Sequence, residues 1–136
     1  MADIRRVTDA FAVAPQISEK DVDEIAAAGF KTIVANRPDG EGGVMQPRMG
    51  PIRAKAESLG LTFVALPFSG APTPEIVERM ANILNEAPQP VLAYCRTGTR
   101  CITVWALTHA GQGAGEDIID AAAGAGYDLT SLESLL

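Results

Sequence analysis

The stretch Tyr94-Cys95-Arg96-Thr97-Gly98-Thr99-Arg100-Cys101 constrains this chain more than any other. A short apolar run, residues 90–93, precedes it, and a second, residues 102–107, follows. The pattern predicts a strand, a tight loop and a helix. Cys95 falls where the strand ends and Arg100 where the helix begins. Gly98 lets the backbone turn through conformations that a β-carbon resists. The loop amides can then point inward, and the helix N-terminus adds partial positive charge. The result is an anion cradle with a sulfur at its floor.

A free thiol titrates near pH ~8.5, but helix N-termini and arginines bring reactive cysteines down to roughly 3.5–7.5. Cys95 is then expected as a thiolate able to attack phosphorus or sulfur. Arg100 would clamp a tetrahedral oxyanion through two parallel hydrogen bonds. The amides of Arg96, Thr97, Gly98 and Thr99 would hold the remaining oxygens. The plain alternative is an inert buried cysteine. It requires the strand end, the glycine and the helix-opening arginine to coincide without purpose.

With 136 residues the chain is the size of one domain, residues 1–136, and at 47% hydrophobic it can bury a core. A net charge of −6 argues against a nucleic-acid partner. Residues 95–101 hold two arginines and no acid, whereas residues 102–136 hold five acids and no Lys or Arg. A basic site on an acidic body suits a small anionic substrate. Two cysteines do not make a disulfide framework, and with one histidine they give no metal-ligand spacing. No cofactor or metal is therefore expected. The N-terminus lacks a long apolar run, so neither a signal peptide nor membrane contact is expected, and residence is expected to be cytoplasmic.

Along the chain, residues 4–7 and 11–14 read as short strands. Ser18 is a good N-cap for a helix through Ala28, closed by Gly29. Residues 30–35 form a strand rich in β-branched side chains. The longest loop signal follows, residues 36–43, Asn-Arg-Pro-Asp-Gly-Glu-Gly-Gly. Its position beyond a strand's carboxyl end makes Arg37 and Asp39 site candidates. A helix is expected from about Pro47 to Leu59, its start drawn toward Gly50 by Pro51. Residues 61–66 are a strand, and Thr73-Pro74 opens another helix. A helix over about 116–123 and a short one over 131–136 end the chain. His109 has no evident partner and reads as a helix-end residue. Strands alternating with helices predict a three-layer α/β domain, its mostly parallel central sheet covered by helices on both faces.

Loop length bears on the chemistry. Protein-tyrosine phosphatases use C-x5-R, and here Cys95 to Arg100 is C-x4-R, with Cys101 at the phosphatase arginine position. A six-residue cysteine loop is also the length used by rhodanese sulfurtransferases. Three stretches together resemble one family: the Ser18-led helix after Ala14-Pro15-Gln16-Ile17; residues 32–41, with Asn36-Arg37-Pro38-Asp39; and residues 91–101. That family is the phosphatase-like domain of beta-lactamase hydrolase-like proteins. The resemblance implies a fold similar to dual-specificity phosphatases, Cys95 as nucleophile, Arg100 as clamp, and Arg37 and Asp39 lining the site. Some members are fused to a metallo-hydrolase domain that handles persulfides, and the family also carries a sulfurtransferase label.

A phosphatase needs an acid for its leaving oxygen. In dual-specificity enzymes an aspartate on the corresponding loop serves, but here residues 67–74 contain no Asp, which leaves Glu75 or Asp39. The expected function is a cysteine-dependent phosphatase-like hydrolase working through a cysteinyl-phosphate. The alternatives are a sulfurtransferase carrying a persulfide on Cys95, and a non-catalytic anion or redox sensor in which Cys101 resolves oxidised Cys95. The expected substrate is a small phosphoester or a sulfane sulfur donor, with a phosphoprotein as one form of the former.

Overall fold

The computed structural model describes residues 2–136. Its strands are β1 (Arg5–Arg6), β2 (Phe11–Ala14), β3 (Thr32–Ala35), β4 (Thr62–Ala65) and β5 (Val91–Tyr94). Its α-helices are α1 (Glu19–Ala27), α2 (Met49–Ser58), α3 (Pro74–Glu86), α4 (Thr99–Leu107) and α5 (Gly115–Gly124), and a 3-10 helix spans Thr130–Leu135. The expected helix starts hold locally. Ser18 caps α1 in a reciprocal box, its Oγ accepting from the Asp21 amide while Asp21 Oδ2 accepts from the Ser18 amide at 2.9 Å. Thr73 Oγ1 accepts from the Ile76 amide at the head of α3.

The sheet runs β1-β2-β5-β3-β4, parallel except for the antiparallel edge strand β1. β5 lies at the centre, and all four of its residues are buried. Successive side chains on a strand point to opposite faces, and two cores form accordingly. Phe11, Val13, Val34, Val91 and Ala93 pack with Met80, Ile102 and Trp105. Ala12, Ala14, Ile33, Ala35, Leu92 and Tyr94 pack with Val22, Ile25, Ile52 and Ala56. Trp105 stacks on Phe11 with ring centroids 5.7 Å apart. His109, expected to stand alone, meets Trp105 edge-on at 5.2 Å, and its Nδ1 lies 3.3 Å from Gln112 Oε1. Among the described residues, no helix is long and apolar enough to cross a membrane.

Register sets the site. Ala14 and Ala35 both pair with Tyr94. The carboxyl ends of β2, β5 and β3 are therefore level, and Gln16, Cys95 and Arg37 emerge on one edge. Main-chain bonds continue past the strands, with the Cys95 amide donating to Ala14 O and the Gln16 amide to Arg96 O, both at 3.3 Å. Buried Asn36 sends Nδ2 to Leu66 O at 2.9 Å, tying the exits of β3 and β4 together.

Candidate active site

Cys95 is 1% exposed, at the end of the central strand. The loop then turns so that the Gly98 amide donates to Cys95 Sγ at 3.1 Å. Gly98 is the N-cap of α4 with φ +92°, and a β-carbon there would lie 2.1 Å from Tyr127 Oη. Both the left-handed backbone and the close approach require glycine. Tyr127 Oη donates to Thr97 O at 2.8 Å and so braces the loop from the C-terminal segment. Thr97 and Thr99 hydroxyls bond to each other at 3.0 Å.

These surroundings hold the Cys95 thiol at a pKa of about 5, below the usual thiol range. The largest cause is a hydrogen bond from the Cys101 side chain. Burial opposes it, and the backbone amides of Cys101, Thr97 and Gly98 assist. Cys101, fully buried, is pushed the other way by burial and by its charged neighbour, so it remains a thiol and a donor. Both cysteines are free. The pair divides into one thiolate and one thiol that stabilises it.

A basic wall stands above this floor. Arg100 Nη1 donates to Phe68 O at 3.0 Å and to Glu41 Oε2 at 2.7 Å, and its Nη2 donates to Glu41 Oε1. Arg37, buried, sends Nε to Glu41 Oε1 at 3.0 Å and Nη1 to Gln16 Oε1 at 3.1 Å. Held by Arg100 first and Arg37 second, the Glu41 carboxyl falls to a pKa of about 2 and stays ionised at any ordinary pH. Gln46 clasps the loop that carries it, accepting from the Gly42 amide at 2.6 Å and donating to Pro38 O at 2.9 Å. A β-carbon on Gly42 would lie 2.6 Å from Arg37 Nη2, so the loop closes directly on the guanidinium. The resulting cavity, about 590 Å³, is lined by Arg37, Glu41, Gly42, Arg96 and Arg100.

The structure thus gathers Cys95, Arg96, Thr97, Gly98, Thr99, Arg100 and Arg37. Asp39 is placed apart from them. Its Oδ1 accepts from the Met49 amide at 2.9 Å, and its Oδ2 lies 3.9 Å from Arg48. It serves as the missing cap of α2, whose own N-cap residue, Arg48, makes no side-chain capping bond, and it does not line the cavity. Glu41, Gln16, Gln46 and Tyr127 join the gathered residues without a strong signal in the sequence. The i,i+4 spacing of Arg37 and Glu41 was a usable signal for the first. Nothing near Tyr127 in the sequence announces its partner thirty positions earlier.

The family model described as beta-lactamase hydrolase-like protein, phosphatase-like domain, matches residues 3–112. The beta-lactamase hydrolase-like protein of Agrobacterium fabrum is 32% identical over 127 residues, which are 91% of this chain and 29% of that protein. The chain therefore spans under a third of that relative's length. A solved structure from Neisseria meningitidis, described as a candidate phosphatase, is 35% identical, with a TM-score of 0.85 over 96% of this chain and 94% of that one. Tk-PTP in its active form shares the fold at 20% identity, with a TM-score of 0.69 over 96% of this chain and 90% of that one.

Proposed function

The chain belongs to the phosphatase-like domain family of beta-lactamase hydrolase-like proteins, and from that premise we propose a phosphohydrolase that works through a cysteinyl-phosphate on Cys95. The observation that supports this most is the Cys95 sulfur, held as a thiolate by the Cys101 thiol and three amides beneath a guanidinium-lined cavity. The thiolate attacks phosphorus and forms an S–P bond as the P–O bond to the leaving group breaks. Loop amides and Arg100 stabilise the phosphoryl oxygens where charge accumulates. Water then attacks phosphorus, releases phosphate and returns the thiolate. Glu41 and the Phe68 carbonyl hold the Arg100 guanidinium in place before substrate arrives.

The test is phosphate release from an aryl phosphate by the native protein and by Cys95→Ser. The proposal expects turnover that disappears in the variant while its thermal unfolding is unchanged. Turnover retained by the serine variant would exclude it. A second reading, sulfur transfer through a Cys95 persulfide, is favoured by one observation: both oxygens of the acid at the cavity are engaged by guanidinium groups, and sulfur transfer needs no leaving-group proton. It predicts uptake of one sulfur from thiosulfate and thiocyanate formation from cyanide.

A further inference from the structure

Three carboxylates lie in or near the loops around the cavity, and none is placed to protonate a leaving oxygen. Glu41 is the one acid lining the cavity among the described residues, and both of its oxygens are engaged by guanidinium groups. Asp39 caps α2. Glu75 is exposed in the first turn of α3, and the loop before it, residues 67–74, has no acid. An alkoxide departing without a proton is a poor leaving group.

The cavity has a surplus of the opposite kind. Arg37 and Arg100 share Glu41, while Arg96 lines the same cavity exposed, with no ion pair among the described residues. Among the described residues, no aromatic side chain lines the cavity. At about 590 Å³ it falls in the range that accepts a drug-sized ligand, so there is room beyond a single phosphoryl group, and the walls around that room are cationic.

Building on the phosphohydrolase reading, we infer that the substrate's scissile bond is a phosphoanhydride, with the terminal phosphoryl on the Cys95 loop and the departing phosphate received by Arg96. The two observations meet in one chemistry. A phosphate leaving group has a second pKa near about 6 and departs as an anion without an acid. The charge it gains falls on a guanidinium built for planar oxyanion recognition. In the step, the Cys95 thiolate forms an S–P bond to the terminal phosphorus. The bridging P–O bond breaks, and its electron pair leaves with the inner phosphate. Water then cleaves the S–P bond, giving inorganic phosphate and one proton and restoring the thiolate.

The experiment measures phosphate release from ADP, inorganic diphosphate, AMP and p-nitrophenyl phosphate in the presence of EDTA, with the native protein, Cys95→Ser and Arg96→Ala. ADP and AMP carry the same body and differ in the bond broken. The inference expects Cys95-dependent cleavage of ADP or inorganic diphosphate at least about tenfold above AMP in kcat/KM. It also expects Arg96→Ala to lower that value about tenfold more than it lowers the value for p-nitrophenyl phosphate, as befits one lost charge-assisted hydrogen bond. Cleavage of the aryl phosphate with neither anhydride exceeding AMP would overturn the inference and leave the phosphohydrolase reading standing. Equal losses on both substrates in Arg96→Ala would overturn the role of Arg96. No Cys95-dependent phosphate from any substrate would remove both readings.

Discussion

Cys95 owes its charge chiefly to another cysteine. The Cys101 thiol is too deeply buried to ionise beside an existing thiolate, so it donates instead. Activity should accordingly fall as pH drops through about 5, where Cys95 becomes protonated. Cys101→Ala removes the donor and leaves the amides, so the acid limb of kcat/KM against pH should move up by about one pH unit or more, from the usual worth of a hydrogen bond to a charged group. Cys101→Ser, which restores a donor, should return the limb toward its native position. An acid limb that stays put in both variants would show that the loop amides alone set the thiolate. Glu41 has a different residue-level task. Glu41→Gln leaves the buried Arg37 guanidinium with Gln16 as its remaining side-chain partner. A loss of about 2 kcal/mol in urea unfolding is expected, together with a lower kcat as Arg100 loses its fixed orientation.

At the scale of elements, local signals read well and distant ones did not. Ser18 and Thr73-Pro74 announce their helices because capping is settled within three residues. The Cys95 loop is similarly legible, since a strand end, a positive-φ glycine and a helix start are all local. Asp39 belongs with the distant signals. An acid beyond a strand's carboxyl end resembles a site residue, but α2 begins at Met49 without a side-chain cap of its own, and a carboxylate ten positions upstream fills that need. Tyr127 was beyond reach because it approaches Gly98 only through the packing of the C-terminal segment. Its contact carries a prediction. Gly98→Ala forces a β-carbon against the Tyr127 phenol in a left-handed backbone, and should abolish turnover and lower the melting temperature. Tyr127→Phe keeps the packing, loses one hydrogen bond to Thr97 O, and should cost only about 1 kcal/mol. A Gly98→Ala variant with native activity would contradict this account of the loop.

For the whole molecule, the decisive feature is the level ending of three parallel strands. Because Ala14 and Ala35 both pair with Tyr94, residues eighty positions apart in sequence reach one edge. The alternation of strands and helices implied such an edge. The register, which brings Gln16 to Arg37, depends on side-chain packing on both faces, and residue order alone does not specify it. The same edge concentrates positive charge on a chain of net charge −6, which leaves the cavity as the place where a small anion is favoured. The central claim is that Cys95 carries the transferred phosphoryl group. Its most direct test is an acid-quenched mass spectrum of the intact protein taken during turnover of p-nitrophenyl phosphate, with the modified peptide then sequenced. The account predicts a transient gain of one phosphoryl group located on Cys95 and absent in Cys95→Ser. Phosphate release with no such species, or with the phosphoryl on another residue, would contradict it.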